Sequence, residues 1–308
     1  MNSLQDGYIL TNILRYLPES SFIDVALVSK SFRDCFIESR ANISPQFAEH
    51  LPNVQRIHDF KIVSSSEEEG SLERAIENLS ARQILSFNNQ PIVNRLSKLA
   101  ITNQHIDLQP LCDQIRYLKT LKIVSSYQPF NVFSVSNLSS VSKLSSLSKL
   151  VIDSYSINQL PSLQGLSLLT NLSFHNNRID TIASITVLSA LKIFNCHCNN
   201  INDISPLSHL TNLEILECGC NRINSLFPLS SLINLKDLDC CSNRISSLSP
   251  LSSLTNLKIL NCMDNEISDL SPLYNSTSLT KLNCCSCPIQ DPINFSDFKS
   301  LIDLLCDC

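Results

Sequence analysis

The sequence predicts an α/β solenoid. Short parallel strands would stack along a concave face, short 3₁₀ or extended segments would return over the convex side, and a helical mini-domain would precede them. Three observations carry this. One 22-residue pattern recurs with unbroken spacing from Leu144 onward, and an internal period of that length means stacked repeats. Two columns of the pattern are apolar throughout: Leu172, Phe194, Leu216, Leu238, Leu260, Leu282 and Leu304, then, two residues on, Phe174, Cys196, Cys218, Cys240, Cys262, Cys284 and Cys306. Residues 3–39, by contrast, show helical periodicity and no repeat.

Alternation about the Leu-x-Cys core reads as a short strand with one face inward, and stacking identical strands buries one row of side chains per column. A third column holds Asn177, Asn199, Asn221, Asn243 and Asn265, then Cys287, and a fourth holds Ile179, Ile201, Ile223, Ile245, Ile267 and Ile289. The asparagine stands where the strand must bend, and its amide can satisfy backbone groups of its own and the neighbouring repeat. Pro206, Pro228, Pro250 and Pro272 punctuate return segments too short for a crossover helix. The unit is L-x-x-L-x-C-x-x-N-x-I-x-x-L-x-P-L-x-x-L-x-x. In these columns the chain resembles the leucine-rich repeat family, and "DISPLSHLTNLEIL" is most similar to internalin-type or phosphatase-regulator-type repeats. The resemblance implies a leucine-rich repeat solenoid that binds protein on its concave strand face.

The first of three segments, residues 1–45, precedes the repeats. Ile9, Leu10, Ile13, Leu14 and Leu17 share one helical face, and Pro18 ends that helix. Ser20 or Ser21 can cap a second helix carrying Phe22, Val25, Ala26 and Val28; a third starts near Ser29 with Phe32, Cys35 and Phe36 inward. With "ILRYLP" at Ile13 to Pro18 and "LVSKSFRD" at Leu27 to Asp34, the segment resembles an F-box, although the usual Leu-Pro opening is Leu4-Gln5 here. That resemblance implies that Leu17, Pro18, Val28 and Phe32 meet the small adaptor subunit of an SCF-type ubiquitin ligase. Read from the residues alone, the same helices are a cap that seals the first repeat.

Residues 46–143 carry divergent repeats. Ile57, Phe60 and Ile62 match Leu118, Leu121 and Ile123, with further strands expected at Leu85 and Phe87 and at Leu96, Leu99 and Ile101. Residues 71–85 have helical spacing, and "SSSEEEG" before them is a solvated loop. A Ser-rich insert with Phe130, Val132 and Phe133 stretches one interval, and insertions that leave strand columns intact belong in loops. Regular repeats fill residues 144–308, and the chain stops just after Leu301, Leu304 and Cys306 have opened another unit.

Residues flanking the buried strand positions must point outward. They form three rows: Asn171, Ile193, Ile215, Asp237, Ile259, Lys281; then Ser173, Asn195, Glu217, Asp239, Asn261, Asn283; then His175, His197, Gly219, Cys241, Met263, Cys285. Exposed Ile193, Ile215, Ile259 and Met263 beside Glu217, Asp237 and Asp239, with Asn195 and Asn261 alongside, make an apolar patch with a charged surround, the composition of a protein-binding site. Scattered isoleucines on a strand face are equally what β-propensity places there.

A net charge of −5 and a pI near 5.7 exclude a basic surface for nucleic acid or anionic membrane. The N-terminus lacks a signal-peptide pattern, and no run approaches 18 apolar residues, so the expected location is cytoplasmic or nuclear. Six of the 14 cysteines fall in the buried column, one repeat apart, and read as small core fillers. Cys198 and Cys220 share another column where geometry would permit a disulfide; a reducing compartment would keep it open. His175 and His197 share a column near that pair, so a four-ligand metal site is conceivable, but repeat duplication explains the column without a metal. Phosphate-loop and hydrolase motifs are absent, so no catalytic residue, metal or cofactor is expected. The reading is a non-enzymatic protein-interaction adaptor. Its first form is an F-box-type substrate receptor. The alternatives are a scaffold for a protein phosphatase 1-like catalytic subunit and a surface or secreted recognition protein.

Overall fold

The computed structural model describes residues 59–63, 98–102, 105–125, 134–290, 296 and 298–306. The F-box-like segment with Leu17, Pro18, Val28 and Phe32 lies outside the described residues, as do the helix expected over 71–85, Phe87, Phe130, Val132 and Phe133. No helix of the described residues is long and apolar enough to cross a membrane. The chain divides into two compact units, Met1–Leu147 and Ser148–Cys308.

In the first unit, β1 (Asp59–Val63), β2 (Lys98–Thr102) and β4 (Thr120–Val124) run parallel, with Phe60 opposite Leu99 and Leu99 opposite Leu121. β1 pairs directly with β2, and the strand expected at Leu85 and Phe87 lies outside the described residues. Two-residue strands β3 (Ile106–Asp107) and β5 (Val135–Ser136) pair beside α1 (Leu108–Gln114). Asp107 caps this helix by accepting the Gln109 N–H at 3.0 Å, and Leu108, Leu111, Cys112 and Ile115 are its buried stripe.

The second unit is a parallel ladder: β6 (Lys149–Asp153), β7 (Asn171–Ser173), β8 (Ile193–Asn195), β9 (Ile215–Glu217), β10 (Asp237–Asp239), β11 (Ile259–Asn261), β12 (Lys281–Asn283) and β13 (Asp303–Leu305). The register keeps like beside like, from Leu150 opposite Leu172 through to Leu282 opposite Leu304. Leu216, Leu238, Cys218 and Cys240 are fully buried; each such leucine contributes about 1.5–3 kcal/mol over an exposed one. The return segments are 3₁₀ turns, with proline in the first turn of Ser205–Leu207, Phe227–Leu229, Ser249–Leu251 and Ser271–Leu273. Proline's missing N–H costs nothing there, because the first turn has no intrahelical acceptor for it. Cys306 departs from its column: it is half-exposed where the preceding five cysteines are buried, because among the described residues no strand covers the far side of β13.

The asparagine column does what its position requires. Asn177 Nδ2 donates to the carbonyls of Ile152 at 2.8 Å and Phe174 at 3.0 Å, while its Oδ1 accepts the N–H groups of Tyr155 and Ile157 at 3.1 and 3.0 Å. Asn199, Asn221, Asn243 and Asn265 repeat the carbonyl bonds, and each accepts one N–H from the preceding repeat. Just before each lies a residue in the left-handed region: Asn176, Cys198, Cys220, Ser242 and Asp264, with φ between 49° and 57°. That backbone turns the strand sharply into its return segment, at a cost of about 1–2 kcal/mol per non-glycine residue.

Candidate strand-face site

On the strand face, the register places Asp237 between Ile215 and Ile259, and Asp239 between Glu217 and Asn261. The apolar members are less open than alternation alone implies. Ile193, Ile215 and Met263 are half-buried, and Ile259 is 37% exposed, because side chains on strands about 4.8 Å apart shade one another. Two residues of the third row depart from the outward assignment in exposure: Gly219 and Cys241 are buried.

Glu217 and Asp239 stand directly opposite on adjacent strands, with Asp237 on the same face. Like charges in register destabilise a sheet. Two amides relieve part of this repulsion, Asn195 donating to Glu217 Oε2 and Asn261 to Asp239 Oδ2, the latter at 3.2 Å. Burial, then the Glu217 and Asp239 charges, push the Asp237 carboxyl above its ordinary range. The arrangement therefore holds negative charge that the fold only partly neutralises, flanked by isoleucines. It presents no paired acid and base around a cleft.

Sequence reasoning missed the crowding at the third row. A Cβ at Gly219 would lie 2.7 Å from Cys241 Sγ, 3.0 Å from His197 Nε2 and 3.1 Å from Asp239 Oδ1, so glycine there is what lets these three side chains converge. The signal was present as a lone glycine inside a row of larger residues.

A family model for leucine-rich repeats in two copies matches residues 189–232, 211–253 and 233–275. Residues 189–275 are leucine-rich repeats. Among solved structures, these repeats and their flanks are similar to an internalin, InlF, of Listeria monocytogenes: 22% identity over 72% of this chain and 73% of that one, with a TM-score of 0.59. A leucine-rich repeat protein of Leptospira interrogans is 17% identical over 83% of this chain and 80% of its own, with a TM-score of 0.57. At these identities the likeness is one of fold. No curated protein sequence matches the chain. Leucine-rich repeats of this kind are protein-interaction scaffolds, and the parallel strand ladder with its short 3₁₀ returns is their architecture.

Proposed function

We propose that the protein is a non-enzymatic adaptor whose exposed strand face binds a protein target. The contact would centre on Ile193, Asn195, Ile215, Glu217, Asp237, Asp239, Ile259, Asn261 and Met263. The observation that carries the reading is the in-register Glu217–Asp239 pair beside Asp237, a repulsion that a basic segment on the partner would offset while apolar side chains cover Ile215 and Ile259. The target therefore presents lysine or arginine next to an apolar residue.

The F-box resemblance extends this to a substrate receptor of an SCF-type ubiquitin ligase in the cytosol or nucleus, with Leu17, Pro18, Val28 and Phe32 against the adaptor subunit. A pull-down of the host's SCF adaptor subunit by the full chain, beside a Leu17→Asp, Pro18→Ala variant, tests it. Retention lost in the variant supports the receptor reading. No retention overturns it, and binding of a protein phosphatase 1-like catalytic subunit is then the reading to test on the same face.

A further inference from the structure

The cysteines of the second unit do not all have the same explanation. Cys196, Cys218, Cys240, Cys262 and Cys284 fill the core. Cys198 and Cys220 are half-exposed and occupy the left-handed column, at φ 57° and 51°. Elsewhere in the ladder that column holds Ser154, Asn176, Ser242, Asp264 and Ser286. Asparagine and aspartate ease left-handed backbone by local hydrogen bonding; a thiol does not. Neither packing nor backbone preference accounts for two consecutive cysteines there.

Their surroundings do. Cys198 Sγ lies 3.6 Å from His197 Nδ1, and the donor atoms of His197, Cys198 and Cys220 all lie within 4.8 Å of one another. Tetrahedral zinc with bonds of about 2.3 Å to sulfur and 2.0–2.1 Å to nitrogen separates its donors by about 3.5–3.8 Å, so a small inward movement of these side chains suffices. The opposite edge of the same ring faces Cys241 Sγ, 3.9 Å from Nε2, and the Asp239 carboxylate. A histidine that ligates metal through one nitrogen commonly donates its other N–H to a carboxylate, which fixes ring and tautomer. Gly219 makes room for that edge, and His175 stacks flat on the ring with centroids 5.6 Å apart.

We propose that His197 Nδ1, Cys198 Sγ and Cys220 Sγ bind one thiophilic, closed-shell metal ion of the zinc class, with Asp239 as the positioning residue behind the imidazole. Two thiols, one neutral imidazole and no hard oxygen ligand select zinc over magnesium or calcium. Binding deprotonates both thiols and releases two protons to solvent, with the fourth coordination position left open. The site is formed from consecutive repeats and does not depend on the partner proposed above.

The test uses the full chain, reduced and stripped of metal under anaerobic conditions, and titrated with cobalt(II), whose visible bands report tetrahedral thiolate coordination. One equivalent is expected to saturate thiolate-to-cobalt charge transfer and tetrahedral d–d absorption, and zinc added afterwards is expected to bleach both. Cys198→Asn and Cys220→Asn keep a side chain that the left-handed column already accepts at Asn176, so folding is retained while the bands are lost. Asp239→Asn weakens the affinity by about 10-fold, and Cys285→Ser leaves it unchanged. Three results overturn the proposal: no tetrahedral bands in the wild-type chain; bands that survive both asparagine variants but vanish in Cys241→Ser; or a Cys198–Cys220 disulfide by mass spectrometry in a chain that, once reduced, takes up no cobalt.

Discussion

Asn243 Oδ1 accepts the backbone N–H of Ile223, one repeat earlier, at 2.9 Å. The same amide donates to the carbonyls of Cys218, Cys240 and Cys241 at 3.1, 3.0 and 3.0 Å, so one side chain closes its own turn and fastens it to the previous one. Asn243→Ala leaves a backbone N–H and carbonyls without this partner and is expected to cost about 2–3 kcal/mol. Asn243→Asp is expected to cost at least as much at neutral pH, because a carboxylate can accept from Ile223 but only repels three carbonyls. Urea unfolding of both variants checks this. An aspartate variant as stable as wild type would sink the account.

Cys287 stands in the asparagine column and imitates it incompletely. Its thiol donates to Cys262 O at 3.2 Å, the bond an asparagine would make to the carbonyl 25 residues earlier. The Cys262 thiol, followed by the N–H groups of Asn265 and Ile267, lowers the Cys287 pKa to about 7. Cys287→Asn is expected to restore the full set of bonds and add about 1 kcal/mol of stability. In the wild-type chain at pH 7, iodoacetamide is expected to reach Cys287 before Cys240, which burial and the Asp239 charge hold protonated, or Cys262, which its hydrogen bond to Cys287 and then burial hold protonated. Peptide mass mapping at short reaction times reads the order directly.

The contrast between Asn243 and Cys287 shows what the sequence can carry. Backbone geometry imposes the asparagine column on every repeat, so its role follows from spacing alone, as do the leucine columns and the proline-marked 3₁₀ turns. Individual departures are written in one residue and show their meaning only beside neighbours 22 residues away: Gly219 under Cys241, or Asp239 beside Glu217. Side-chain shading along the ladder, which half-buries Ile193 and Ile215, is likewise invisible in alternation, since it depends on the length of the neighbouring side chains. Helix α1 was legible in principle, from Asp107 ahead of Leu108, Leu111, Cys112 and Ile115, but seven residues within divergent repeats make a weak period.

Glu214 lies between Lys192 and Lys236, with ion pairs of 3.0 and 2.6 Å. Hydrogen bonds from Lys236 and Lys192, with the attraction of both charges, bring its pKa down to about 2. A carboxylate depressed on folding contributes stability that is present above its unfolded pKa of about 4.3 and is lost as pH falls toward the folded value. The stability difference between wild type and Glu214→Gln is therefore expected to persist at neutral pH, shrink between about pH 4 and pH 2, and vanish below. Raising the salt concentration should shrink it too, because the cluster is on the surface. A titration of the carboxyl carbon by NMR with a midpoint in the ordinary glutamate range would contradict the assignment.

Leu238 and Glu217 occupy alternate faces of neighbouring strands, and their substitutions should separate folding from binding. Leu238 is fully buried between Leu216 and Leu260. Leu238→Ala is expected to cost about 2–5 kcal/mol, the transfer of the lost methyl groups plus the cavity that neighbouring repeats cannot fully close. Glu217→Lys places a cation opposite Asp239 and removes a like-charge contact, so stability should hold or rise by up to about 1 kcal/mol, offset in part by the acceptor that Asn195 loses. On the proposed face, the same change sets a lysine against the basic segment of the target and should weaken binding at least 10-fold, a repulsion of about 1.4 kcal/mol or more. Thermal melts of the two variants and a titration with the captured partner check both halves. A Glu217→Lys chain that melts like Leu238→Ala would show that the face carries structural load, whereas one that folds and binds unchanged would move the contact off β9 and β10.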